Sequence, residues 1–202
     1  MAAAPQLPTT KPPLSRRRDE RGAALVEAAI LSPVFFMMIF GLFEFGLAFY
    51  DKLTVANMSR AGARAATTVG NDLLADHQLV AAIDKAAGAM SRESIEYVVV
   101  YRAASPTSTV PAGNCASGVP SDANDCNVYH PADFAAPETS FGCGPTDLDR
   151  FWCPTGREVA ASGPPDYVGV FVKATHDNLT GFFGQGYTFT DDTVLRIEAR
   201  RR

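Results

Sequence analysis

Residues 23–50 read AALVEAAILSPVFFMMIFGLFEFGLAFY, and they decide the architecture. Only Glu27 and Glu44 are charged in this stretch. Wound as a helix at about 1.5 Å per residue, it is roughly 42 Å long, enough to cross a hydrocarbon core of about 30 Å. Apolar residues occupy every face, the pattern of a helix in lipid or one buried on all sides. Phe49 and Tyr50 close the run, where aromatic side chains favour a membrane interface. A cleaved secretory signal is the competing reading. The run is longer than an apolar signal core of about 7–15 residues and no clean A-x-A site follows it, so a retained anchor is expected.

The flanks suggest an orientation. Residues 1–22 carry Lys11, Arg16, Arg17, Arg18 and Arg21 against Asp19 and Glu20, a net of +3. The whole chain of 202 residues is −4, so the remainder is −7, and bulk charge excludes a nucleic-acid binder. Basic residues before the span place the N-terminus in the cytoplasm and the chain beyond about residue 51 outside it. Lys52, Arg60 and Arg64 oppose this weakly, being dispersed and partly offset by Asp51. Residues 1–15 contain four Pro and little that can pack, so a disordered tail is expected there. The expected organisation is a basic, disordered cytoplasmic segment at 1–22, a transmembrane helix at 23–50 and an exported α+β domain at 51–202.

Two carboxylates in an apolar helix need an explanation, since a charge at the bilayer centre costs about 2.5–3.5 kcal/mol on insertion scales. Either they lie close enough to an interface to reach water, or each meets a partner. No Lys, Arg or His lies within residues 23–50, so the partner is expected on another chain. Ala24, Ala28 and Ser32, spaced by four, offer one face on which helices can approach closely.

Helical character continues past the span, with Leu53, Ala56, Ser59 or Arg60, and Ala63 at helical spacing. Gly62, Ala63 and Arg64 are candidate partner contacts, and an exposed stalk is the plainer reading of the two arginines. Gly70-Asn71 reads as a stop. Asn71 or Asp72 then caps a second helix with Leu73, Val80, Ile83, Ala87 and Met90 on one face. Alternation predicts strands over residues 94–103, 166–175 and 193–200. Three antiparallel strands on an amphipathic helix make the smallest plausible core.

Residues 105–165 form a long Pro-, Gly- and Asp-rich insertion holding Cys115, Cys126, Cys143 and Cys153. An even count outside the cell reads as two disulfides, of which sequence-local closure, Cys115 with Cys126 and Cys143 with Cys153, is the simplest of three connectivities. A zinc site is the weaker alternative, since no C-x-x-C pair is present and only His130 is near. Tyr129, Phe134, Phe141, Phe151 and Trp152 in this insertion either form a recognition surface or pack it onto the sheet.

At its N-terminal half the chain resembles the TadE-like family of tight-adherence, Flp-type pilus assembly proteins. Arg21-Gly22-Ala23-Ala24-Leu25-Val26-Glu27 looks like the family's opening, and Pro33 falls where the family commonly has one. Residues 41–50 (GLFEFGLAFY) are similar to a G-x-x-E-F-G-R-A-F-Y segment, with Leu47 in place of a frequent Arg. Residues 57–66 (NMSRAGARAA) resemble an A-R-E-G-A-R-A-A segment, with Ala61 where an acidic residue is frequent. Leu195-Arg196-Ile197-Glu198 resembles a closing Arg-x-Glu. The resemblance implies a pilin-like minor subunit, or pseudopilin, anchored in the bacterial inner membrane with its C-terminal domain extracytoplasmic. Its implied partners are other pilus subunits, secretion-system membrane proteins and a prepilin peptidase. It further implies Gly22-Ala23 as the scissile pair and Glu27, fifth residue of the mature chain, as the pilin-type glutamate. Ala23 would then supply an ammonium able to neutralise a neighbour's Glu27.

Motifs for catalysis are missing. His77, His130 and His176 are dispersed without an H-E-x-x-H arrangement, and neither G-x-S-x-G nor a phosphate-binding loop occurs. Residues 181–186 (GFFGQG) read as a turn between strands and Asp191-Asp192 as another turn. No catalytic, cofactor or metal residue is assigned. An envelope-anchored binding module unrelated to pili, or an exported enzyme built from dispersed residues, are the alternatives to a pilus component.

Overall fold

The computed structural model describes residues 16–108, 110–159 and 164–198. The tail expected over residues 1–15 lies outside them. Helix α1 runs unbroken over Arg16–Val69, and two compact units divide within it, between Phe43 and Glu44.

In the first unit most of α1 is exposed. Leu25, Ile30, Val34, Phe36, Met38 and Leu42 all stand exposed. The helix is long and apolar enough to cross a membrane, and none of its most apolar stretch is buried. Pro33 sits inside it without breaking it. A proline lacks the N–H that would bond to the carbonyl four residues back, here Ala29, and the Ser32 hydroxyl donates to that oxygen instead at 3.4 Å.

In the second unit the same helix becomes core. Val55, Met58, Ser59, Ala63 and Ala66 are fully buried, a stripe at helical spacing. The stripe is rotated from the one the sequence predicts: Leu53 and Arg60 are exposed. Small residues allow the close fit, and a Cβ added at Gly62 would lie 2.8 Å from Ile83 Cδ1 and 3.2 Å from Val170 Cγ1. Gly62 and Ala63 are therefore interior residues of this domain and not contacts for a partner, while Arg64 is exposed. Helix α1 ends at Gly70, whose φ of 70° suits a residue without Cβ and whose N–H donates to the Ala66 carbonyl.

Helix α2 (Ala75–Ala87) starts later than expected. Asp72 does not cap it; its carboxylate accepts from the Leu74 N–H in the preceding turn, and Leu73 stays outside the helix and exposed. Leu79, Val80, Ile83 and Ala87 form its buried face.

Four antiparallel strands, β1 (Ile95–Ala103), β2 (Cys126–Tyr129), β3 (Tyr167–Asp177) and β4 (Gly186–Arg196), lie in the order β2-β1-β3-β4. The strand missed by alternation is β2, four residues long and inside the insertion. A register shift between Ile95 and Tyr97 puts these two residues on opposite faces of β1. Ile95, Val98 and Val100 face the helices with Val168, Val170, Val172 and Ala174. Tyr97, Val99, Tyr101 and Ala103 line the opposite face with Val128 and the Cys115–Cys126 bridge. Strand β4 begins seven residues before the predicted 193, so Asp191 and Asp192 lie within the ladder and not in a turn, paired with Val172 and Phe171. The Ser59 hydroxyl, on the buried side of α1, donates to Asp191 and lies 3.0 Å from Thr193 Oγ1.

The insertion is folded onto the sheet by short 3-10 turns and by disulfides joining Cys115 to Cys126 and Cys143 to Cys153. Each closure of this length restricts the unfolded chain by an amount worth roughly 2–4 kcal/mol. Tyr129, Phe134, Phe141 and Trp152 are buried, so these aromatics are packing and not an open recognition surface.

Candidate functional site

The two carboxylates of α1 have opposite surroundings. Glu27 is exposed and makes no hydrogen bond or ion pair among the described residues. Glu44 is 2% exposed. It accepts hydrogen bonds from the Leu179 N–H at 3.0 Å, the Thr180 N–H at 2.6 Å and the Thr180 hydroxyl at 2.6 Å. These donors sit in the turn between β3 and β4, more than 130 residues away in sequence. The sequence leaves Glu44 either near an interface or paired with another chain; the structure supplies its partners within its own chain. The sequence reading sought a cation, and the partners are backbone amides and a hydroxyl, which composition cannot reveal.

One turn or two further along α1, Asp51 pairs with His176 of β3 at 2.7 Å, and Lys52 donates to the Thr190 carbonyl of β4 at 3.0 Å. Lys52 also lies over the Phe189 ring at 5.9 Å. Phe45, Ala48, Phe49, Lys52, Tyr187 and Phe189 together line a shallow apolar groove.

A second polar cluster ties the insertion to α2. Asp76 and Arg157 form a fully buried ion pair at 2.7 Å. Asp76 also accepts from Tyr129 Oη at 2.7 Å and Asn127 Nδ2 at 3.0 Å. The Asn127 side chain completes a pair with the Trp152 backbone, donating to its carbonyl and accepting from its N–H. The Arg157 guanidinium stacks 4.2 Å from the Trp152 ring. Tyr129 Oη also lies 3.0 Å from Asp149 Oδ1. Burial and the Asp76 carboxylate push the Asp149 carboxyl up to about 8, which favours its protonated form. One hydroxyl proton cannot serve two carboxylates. A protonated Asp149 can donate to Tyr129 Oη while Tyr129 donates to Asp76. Burial likewise raises the Tyr129 phenol well above its usual range. The available signal was Asp76 itself, an acidic residue on the same helical face as Leu79, Val80 and Ile83.

The three histidines stand in separate neighbourhoods: His77 against the Phe141 ring, His130 near the Glu96 carbonyl and His176 on Asp51. Among the described residues no group of three or more His, Cys, Asp or Glu could hold a metal ion.

The geometry defines a class: one helix is long and apolar enough to cross a membrane, and its residues after 44 pack within an α+β domain. The family model for TadE-like proteins matches residues 22–64, which confirms the resemblance read from the motifs over the apolar run, Glu44 and the start of the buried stripe. That family is associated with tight-adherence pili and is not a family of enzymes. The sheet and the insertion lie outside the matched segment. No curated protein and no solved structure matches the chain.

Proposed function

We propose that the protein is a minor pilin-like subunit, or pseudopilin, of the machinery that builds tight-adherence Flp-type pili for cell adhesion. The observation that carries this reading is the TadE-like match on a helix whose most apolar stretch is unburied. In this reading the protein is a single-pass component of the bacterial inner membrane, N-terminus in the cytoplasm, with its disulfide-bearing domain on the far side. It acts through contacts with other pilus subunits and secretion-system membrane proteins, without catalysis. A prepilin peptidase cuts between Gly22 and Ala23. Glu27, exposed in lipid, then pairs with the new ammonium of a neighbouring helix, because leaving either ion unpaired there is unfavourable.

The test is a comparison of native protein and Glu27→Ala in a strain with an active peptidase. Native protein extracted from membranes is expected to begin at Ala23 by mass spectrometry. Glu27→Ala is expected to insert normally, to lose crosslinks to neighbouring subunits and to reduce fimbriae. An intact N-terminus in the native protein counts against processing; normal crosslinks and fimbriae in the variant refute the carboxylate's role.

A further inference from the structure

The turn between β3 and β4, residues 178–186, reads NLTGFFGQG and contains no charge. Two of its apolar side chains point away from the domain: Leu179 is 76% exposed and Phe182 is 71% exposed. A turn with two bare apolar residues at its tip is unusual on a soluble surface. This one is also fixed in place. Its amides and Thr180 hydroxyl hold Glu44, its Phe183 ring lies 5.4 Å from the Phe45 ring, and the Asn178 side chain donates to the Gly184 carbonyl across its neck. On the helix beside it, Phe45, Leu47, Phe49 and Tyr50 are exposed as well.

Charge returns on both elements at one level. On α1 it returns at Asp51 and Lys52, and on β3 at His176 and Asp177; Asp51 and His176 touch at 2.7 Å. Between Glu44 and that level lie the six helical residues 45–50, none of them charged, and the helix rises about 10 Å from Glu44 to Asp51. A layer of that depth, aromatic and uncharged, has the thickness of the zone in which peripheral segments enter the boundary between headgroups and acyl chains.

We propose that the β3–β4 turn is a second membrane contact, set into the lipid interface beside α1 with Leu179 and Phe182 in the acyl boundary. This rests on the reading of α1 as a membrane anchor. Continuity decides for lipid over a protein partner. The residues immediately before Glu44 belong to the uncharged run, so the lipid that covers that run extends to whatever surrounds Glu44. The same contact explains why Glu44 is tolerated: the turn supplies it with three donors and covers it, so a carboxylate at the bilayer edge is neither bare nor unpaired. The hydrocarbon is then crossed by residues 23–43, about 32 Å of helix.

The test uses the full chain in vesicles of phosphatidylcholine and phosphatidylglycerol whose acyl chains are brominated near the headgroup. The native protein has Trp152 alone, which is buried in the domain and gives the baseline. In Phe182→Trp, brominated lipid is expected to remove roughly half of the added emission, as for a residue at the acyl boundary. Leu179→Trp repeats the measurement at the second exposed position. Phe36→Trp reports on the helix. Quenching at Phe36→Trp with none above baseline at both turn positions overturns the proposal and leaves the anchor standing. Absence of quenching at all three positions overturns the anchor and the proposal together. Loss of quenching in both turn variants caused by a second copy covering the turn is the same negative result, and it sinks the lipid assignment.

Discussion

Residues 24–43 and 44–69 belong to one helix, yet they obey different rules. The second part obeys the ordinary logic of a globular core: one stripe, Val55, Met58, Gly62 and Ala66, is buried, and Leu53, Arg60 and Arg64 face outward. The first part has no stripe because its apolar residues occupy every face, so no single neighbour within the chain could cover them. The two glutamates repeat the contrast. Glu44 is enclosed by its own domain, whereas Glu27 has no partner among the described residues. The lesson is that one helix can pass from exposed to packed partway along, and that its enclosed carboxylate lies close to where the packing begins.

The largest expected effect falls on the folded side of that comparison. Arg157→Ala leaves Asp76 buried beside a phenol and an amide with no counter-charge. Breaking a buried pair in this way typically costs about 3–5 kcal/mol. Denaturant titration of the full chain in detergent micelles, followed by Trp152 fluorescence, should show a lowered midpoint. The apolar segment of α1 should keep its helicity by circular dichroism, since it makes none of these contacts. A midpoint within error of the native one would mean that the cluster does not hold the insertion in place.

Gly62→Val should cost about 1–3 kcal/mol by overpacking the contact between α1, Ile83 and Val170. Gly22→Val and Gly46→Val are the matched controls, because no atom lies within 4 Å of a Cβ added at either position. If all three behave alike in thermal melts, the distinction between packed and open positions on α1 is lost.

Much of this contrast could be read from the chain, for identifiable reasons. The apolar run is longer than any turn-bounded core segment, so it declares itself. Strands β1 and β3 have enough β-branched residues, Val98, Val99 and Val100 or Val168, Val170 and Val172, to be recognised locally. Strand β2 does not: its four residues, CNVY, sit among turn formers and become a strand only by pairing with Val98, Val99, Val100 and Tyr101. The bulge after Ile95 is equally invisible, since alternation assumes an unbroken register. The site followed the same division. Glu27 and Glu44 stood out as acids in a greasy run, but the donors that satisfy Glu44 are backbone amides brought close by the β3–β4 pairing. The partner of Asp76 lies 81 residues away in a segment without periodicity. Local pattern is readable from local sequence; long-range polar closure requires the fold.

The smallest effect separates the two glutamates most directly. Glu44→Ala removes the acceptor of the Leu179 and Thr180 amides, leaving them to find other partners or none. Losing a hydrogen bond to a charged group should speed exchange at those two amides by about tenfold, while amides in the centre of β1 and β3 remain as protected as before. Glu27→Ala, measured the same way, should change no amide of the domain, because Glu27 makes no contact there. Hydrogen exchange of the full chain in micelles, read at the β3–β4 turn, compares them side by side. Equal exchange at Leu179 and Thr180 in Glu44→Ala and in the native protein would show that the turn holds its shape without the carboxylate. Glu44 would then be enclosed by the turn without fastening it, and the boundary between the two parts of α1 would have to be drawn from packing alone.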